Sequence, residues 1–330
     1  MVITQTPFRM SFFGGGTDFP AFYNKHGGSV ISTTFDKYCY VTVRHLPPFF
    51  EYRNEMVYSK IERTQNADGI MHPLIREGML WKDMHDLRIT YEGDLPARTG
   101  LGTSSSFAVG MLLAFAALKG KYMSKRKLAE DAIHLERTLC AESGGVQDQI
   151  AAAFGGLNRI DFSSDGFQVN PIIIPRGRKE ELNRNLMLFF TGFSRFSSDI
   201  QQVHEAGINE KELQLMDALS LVDRAESVLT GKDDLSDFGR LLDEGWRLKR
   251  GINKLVSSDS IDALYEKAMA AGAIGGKLLG AGGGGFLLFY VEPQHQNQVR
   301  AALYGLKEVP FRFEEGGTRV LYFVPETYDV

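Results

Sequence analysis

The apolar positions of this chain follow changing rhythms, and each change marks an element. Leu87 to Glu92, LRITYE, alternates apolar and polar residues and predicts a strand with one buried face. Gly28 to Val43 is rich in β-branched and aromatic residues and predicts one or two strands. The segment before it reads as a strand, a glycine turn at Gly14 to Gly16 and a short aromatic helix. From Phe107 to Leu118 the alternation disappears, and a continuous apolar run without proline predicts a buried helix. A second helix from Lys125 to about Glu142 carries Leu128, Ala132, Leu135 and Leu139 on one face. Gly144-Gly145 ends it, and a short helix follows to Phe154. Residues 55 to 82 are mixed, with a short helix near His72 to Glu77.

The second half opens with an apolar strand, Leu186 to Thr191. Three helical stretches come next: about Ser197–Thr230 with a break near Gly207, Leu235–Asn253 and Ser260–Ala271. Their apolar residues recur at core spacing, which makes Met216 and Met269 core residues. A glycine-rich stretch from Gly275 to Gly285 runs into an apolar strand ending at Val291. A helix from Gln294 to Leu306 and strands at Val309–Phe313 and Arg319–Val324 close the chain. The polar, proline-bounded passage from Ser163 to Arg178 is the best junction, and it implies domains at 1–170 and 171–330.

Composition narrows the function classes. The chain has 330 residues, 43% of them hydrophobic, which is enough for a large core. A net charge of −4 argues against nonspecific binding to nucleic acid or membranes. Two cysteines argue against a disulfide framework and fit a reducing cytoplasm. The first ten residues have no secretory-signal pattern, and no run is long and apolar enough to span a bilayer.

The chemistry gathers at Gly100-Leu-Gly102-Thr103-Ser104-Ser105-Ser106, just before the apolar helix. Serine is a favoured N-cap, so Ser104 to Ser106 mark the helix start. Its free N–H groups and partial positive charge attract anions, which makes the loop a phosphate cradle. The cradle lacks the Gly-Lys pair of a P-loop, so charge must come from a metal, a carboxylate to hold it, and arginines elsewhere. Glu136 and Asp148, on either side of the Gly144-Gly145 turn, supply the carboxylates: one for Mg²⁺ and one to accept a hydroxyl proton. Gly280, Gly282 and Gly285 match G-x-G-x-x-G by spacing, but they lead into a strand, which rejects a dinucleotide fold. Such a loop instead lets backbone pack beside a ligand or another loop.

Three segments together, Pro7–Asp18, Pro96–Ser106 and Lys277–Gly285, resemble the GHMP kinase family in order and spacing. GGVQDQ at Gly144–Gln149 also looks like the sugar-kinase form of the catalytic aspartate segment. Within the family, PFRMSFFGGGTDFP and KLLGAGGGGFLLF are most similar to kinases of heptose 7-phosphates from bacterial surface-polysaccharide synthesis. The resemblance implies an α+β, two-domain fold with an S5-like N-terminal and a ferredoxin-like C-terminal domain. ATP and a sugar phosphate would meet between them, in a monomer or homodimer. By matching position, Asp148 would be the base, with Arg9 beside it. Gly100, Gly102, Thr103, Ser104, Ser105 and Ser106 would hold ATP phosphates, and Ser105 and Glu136 would hold Mg²⁺. Gly15, Gly16, Thr17 and Asp18 would face the sugar.

One departure changes the expected substrate. Galactokinases have Gly-Glu-His-Thr-Asp where this chain has Gly14-Gly-Gly-Thr-Asp18. Loss of the glutamate frees space and removes a negative charge, which suits a longer sugar carrying a phosphate. The expected reaction is transfer to the C1 hydroxyl of a heptose 7-phosphate. Kinases of fucose- or galactose-like sugars, and a non-catalytic sugar sensor, are the alternatives. Arg195, in the loop after the Leu186–Thr191 strand, is the expected reader of the substrate's phosphate, with Arg98 and Arg44 in reserve.

Overall fold

Residues 1–97, 99–192, 211–232, 234–252 and 254–325 are described by a computed structural model. Strand β1 (Val2–Phe13) enters helix α1 (Pro20–His26) through the Gly14–Gly16 turn, and the long β2 (Gly28–His45) returns antiparallel to β1. The β1–β2 register slips between Pro7 and Phe8, two residues before Arg9. A bulge there suits proline, which has no N–H for the ladder, and bends the strand just before Arg9.

A hairpin, β3 (Asn54–Val57) and β4 (Ile61–Thr64), precedes α2 (Pro73–Trp81) and β5 (Leu87–Gly93). Helix α3 (Thr103–Leu118) is buried along most of its length and packs on β1, β2 and two later helices. Those are α4 (Lys125–Ile133) and α5 (Gln147–Phe154). A helix apolar on all sides is stable only when covered on all sides, and this one is the spine of the first layer.

Hairpin β6 (Asn158–Ser163) and β7 (Gly166–Pro171) adds to the first sheet through β6–β2 pairing. Helix α6 (Arg176–Asn185) then leads into β8 (Leu186–Phe190), whose residues are nearly all buried. Among the described residues three helices follow: α7 (Glu212–Thr230), α8 (Ser236–Ile252) and α9 (Asp259–Ala270). Strands β9 (Gly275–Leu278) and β10 (Phe286–Tyr290) come next, then α10 (Gln296–Ala302) and short strand β11 (Lys307–Glu308). The second sheet has the order β11-β8-β10-β9 and is antiparallel throughout. The last strands, β12 (Phe313–Glu314) and β13 (Arg319–Phe323), return to the first sheet and pair with β2 and β1.

Four expectations need correcting. Helix α3 starts at Thr103, and its N-cap is Gly102 in the left-handed region at φ 72°, so the serines occupy the first turn instead of the cap. The helix from Lys125 loses its α-helical pattern at Ile133 and continues as a π-turn, His134–Leu139. Met216 is 42% exposed and is not core, whereas Met269 packs against the C-terminal cluster. No single strand covers Val309–Phe313: Lys307–Glu308 pairs with β8, and Phe313–Glu314 pairs with β2.

Candidate active site

Arg9 and Asp148 are 139 residues apart in sequence and meet in a two-point ion pair. Arg9 Nε donates to Asp148 Oδ1 at 2.7 Å, and Nη2 donates to Oδ2 at 2.6 Å. Arg9 Nη1 donates to the Gly100 carbonyl at 2.6 Å, so the same side chain ties the aspartate to the cradle loop. This fork geometry fixes both planes, which a lysine could not do. Gly102 adjoins the pair: a Cβ there would come within 3.4 Å of Asp148 Oδ2, at a φ that side chains resist.

The turn before Asp148 is held from both sides. Arg137 donates to the Gly145 carbonyl through Nε at 3.1 Å and Nη2 at 2.9 Å. Asp18 is buried, accepts from the Gly16 N–H at 3.0 Å and accepts from the Gln147 N–H at 3.2 Å. Gly145 is needed because a Cβ there would fall 1.9 Å from Asp18 Oδ2. Burial, followed by the negative charge of Asp148, raises the Asp18 carboxyl above the ordinary aspartate range. Thr17 is buried, and its hydroxyl donates to the Gly14 and Ser29 carbonyls while accepting from the Ser29 N–H. Its bonding therefore locks the turn. At Gly15, by contrast, a Cβ would meet nothing within 4 Å among the described residues.

Glu136 sits in the π-turn and is buried, with no cationic partner among the described residues. Ser105 Oγ donates to its Oε2 at 2.7 Å, and the Gln149 amide donates to the same oxygen. The Gln149 amide oxygen is buried and has no partner among the described residues. An uncompensated buried carboxylate beside a hydroxyl and an orphaned oxygen suits a divalent cation. Among the described residues there is no cluster of three or more His, Cys, Asp or Glu to form a complete protein cage. Mg²⁺ that arrives with phosphates requires only one or two protein oxygens, so these residues fit it. Of the other cradle residues, Ser106 Oγ donates to the Pro7 carbonyl at 3.1 Å, and Ser104 is exposed.

The glycine loop before β10 interlocks with the cradle. A Cβ on Gly280 would stand 2.2 Å from Gly100 Cα, and one on Gly285 would stand 2.2 Å from the Thr99 carbonyl. Backbone lies directly on backbone, as the glycine run suggested.

Two cations escaped the sequence reading. Arg9, Asp148, Asp18 and the Gly14–Gly16 turn line one cavity together with Lys249 of α8 and Lys277 of β9. Lys277 is buried and donates to the Phe12 carbonyl at 2.6 Å. Lys249 donates to the Leu278 carbonyl at 3.3 Å and to the Gly280 carbonyl. Burial and the charge of Arg9 bring the Lys249 ammonium down to about 8. Burial, then Lys249 and Arg9, bring Lys277 well below the usual lysine range. A signal did exist: Leu242, Trp246 and Lys249 fall at i, i+4 and i+7, which places a lysine on a buried helical stripe. Arg195 and Arg98 lie outside the described residues. Arg44 faces Arg88 in the β2–β5 register and does not line this cavity.

Similarity to known proteins agrees with this arrangement. Residues 67–156 match the GHMP kinases N terminal domain, and residues 225–306 match the GHMP kinases C terminal domain. The chain is 31% identical to D-glycero-alpha-D-manno-heptose 7-phosphate kinase of Campylobacter jejuni, covering 91% of this chain and 92% of that protein. It is 24% identical to the galactokinase of Pyrococcus furiosus, over 99% and 98% of the two chains. A solved D-glycero-D-manno-heptose 1-phosphate kinase from Bacteroides thetaiotaomicron superposes with a TM-score of 0.80 at 25% identity, covering 98% of this chain and 100% of that one. A mevalonate kinase at 18% identity and a TM-score of 0.73 shares the fold, covering 95% of this chain and 99% of that one. With both family domains matched in order on a two-domain α+β fold, this chain belongs to the GHMP kinase family.

Proposed function

We propose that this protein is an ATP-dependent sugar kinase that phosphorylates the anomeric C1 hydroxyl of a heptose 7-phosphate, in the supply of nucleotide-activated heptose for bacterial surface polysaccharide. The observation that carries the reading is the Arg9–Asp148 pair in the wall of a cavity that also presents Asp18, Lys249 and Lys277. The similarity to a heptose 7-phosphate kinase over nearly the full chain supports the acceptor. The open space at Gly15 supports it independently, because a longer sugar has room where galactokinases have a glutamate.

In this reading the C1 hydroxyl gives its proton to Asp148, and its oxygen bonds to the γ-phosphorus of ATP as the bond to the ADP oxygen breaks. Each carboxylate oxygen has two acceptor positions, so Asp148 can hold Arg9 and still take a hydroxyl hydrogen. Arg9 offsets charge on the transferring group, which is where phosphoryl transfer gains most of its acceleration. Asp18 accepts hydrogen bonds from sugar hydroxyls, while the Gly14–Gly16 turn gives the ring close access. The first N–H groups of α3, with Gly100, Gly102 and Thr103 to Ser106, would cradle the ATP phosphates. Glu136 and Ser105 would hold Mg²⁺, which when bound neutralises phosphate oxygens.

Replacement of the base tests the reading. Asp148→Asn should lower turnover by about 10²- to 10⁴-fold, the usual worth of general-base catalysis, while sparing the affinity for an ATP analogue. Near-wild-type turnover in this variant would remove Asp148 from the reaction.

A further inference from the structure

The cavity beside Arg9 carries more positive charge than its own carboxylates neutralise. Its lining includes four cations, Arg9, Arg137, Lys249 and Lys277, and two anions, Asp18 and Asp148. Arg9 is matched by Asp148, and Arg137 spends its donors on the carbonyls of Glu142, Ser143 and Gly145. Lys249 and Lys277 have no carboxylate partner among the described residues, only main-chain carbonyls. An ammonium has three donors, so two remain on Lys277 and one on Lys249. Taking ammonium groups out of water without counter-ions is unfavourable, and buried Lys277 and half-buried Lys249 are both displaced toward the neutral form as a result. A phosphate monoester, at about −1.5 to −2 near neutral pH, would satisfy both the charge and the donors.

The position of the lysines distinguishes between two sources of such a phosphate. None of the residues Gly100 to Ser106, the nucleotide cradle, lines this cavity, and Lys249 comes nearest to them, through the carbonyl of Gly280, which packs on Gly100. Lys277 instead bonds to the carbonyl of Phe12, just before the Gly14–Gly16 turn and Asp18 on the acceptor side. We propose that Lys249 and Lys277 form the seat of the phosphate that the acceptor already carries, and that this seat selects a sugar phosphate over the free sugar. The inference rests on the reading of this cavity as the acceptor site, and it assigns to two lysines of α8 and β9 the role that sequence gave to Arg195.

The test compares Lys249→Met, Lys277→Met and the charge-keeping Lys249→Arg with wild type. Acceptors are D-glycero-D-manno-heptose 7-phosphate and unphosphorylated heptose, and a non-hydrolysable ATP analogue serves as a binding probe. Each methionine variant should reduce kcat/KM for the 7-phosphate by about 10- to 100-fold, the worth of one bond to a charged group. The preference for 7-phosphate over free sugar should shrink by the same factor, and Lys249→Arg should recover part of it. Calorimetric binding of the 7-phosphate without nucleotide should weaken in parallel. If Lys277→Met unfolds, Lys249→Met alone decides. An intact preference in the methionine variants would overturn the seat while leaving the kinase reading in place. Weakened binding of the ATP analogue with unchanged 7-phosphate binding would assign the lysines to the nucleotide and also overturn it. Wild type without any preference for the 7-phosphate would instead contradict the proposed acceptor itself.

Discussion

Asp18 shows what the site requires of a single residue. Its carboxylate is buried near a second carboxylate, and two backbone N–H groups compensate only in part. Because burial and Asp148 raise its folded pKa above the unfolded value, the folded state binds this proton more tightly. The stability that Asp18 contributes is therefore fully present below the unfolded pKa and lost as pH rises through the folded pKa. The melting-temperature advantage of wild type over Asp18→Asn, measured without ligands, should shrink from acid toward neutral pH. An advantage that grows with pH would mean that the N–H donors outweigh burial. An ionised, poorly solvated carboxylate is a cost to the apo fold and a strong acceptor for a sugar hydroxyl, as binding sites often trade stability for function. At this scale the sequence was informative where a motif stood out: Arg9, Asp18 and Asp148 were all singled out, and the fold brings them to one cavity. Lys249 was not, since WRLKRG matches no motif and only its place on a buried stripe sets it apart.

At the scale of elements, the start of α3 and the π-turn act as one unit. The left-handed Gly102 turns the chain so that Ser105 points at Glu136, and the π-turn brings Glu136 to meet it. Insertions of this kind in helices frequently mark functional positions. Ser105 is not a cap but a donor to a buried carboxylate, so its loss should destabilise the fold by about 1.5–3 kcal/mol, the value for a bond to a charged group. Ser105→Ala should also raise the Mg²⁺ concentration needed for half-maximal activity. A variant with unchanged Mg²⁺ dependence would reduce Ser105 to a structural role. Hydrophobic pattern located α3 through its continuous apolar run and the start of α4 through Leu128 and Ala132. It could not show the π-turn, since residues 134 to 139 keep helical spacing in sequence while their hydrogen bonds shift. Hairpin β3–β4 was hidden because four-residue strands such as NEMV and IERT carry too little pattern. Strand β6, NRIDFS, does alternate, with Ile160 and Phe162 buried, yet it escaped the sequence reading.

Across the whole molecule, the two halves are joined by backbone contacts that only glycine permits. Gly280 lies on Gly100, Gly285 lies on Thr99, and Lys249 and Lys277 reach the cavity from the C-terminal half. The last described strand pairs with the first, Val2 opposite Phe323, so segments far apart in the chain share one sheet. Such long-range pairing could not be read from local pattern, because register over some 320 residues depends on the finished fold. What the family resemblance supplied was the order of three glycine segments, and the fold explains that order: they converge around Arg9. The central claim is a phosphoryl transfer from ATP to the anomeric position of a sugar that already carries a phosphate. ³¹P NMR of wild-type enzyme with ATP, Mg²⁺ and D-glycero-D-manno-heptose 7-phosphate tests it most directly. The account requires a new phosphate signal coupled to the anomeric proton, an intact 7-phosphate signal and one ADP per product. ATP consumed with the new ester at another carbon, or no sugar ester formed at all, would contradict it.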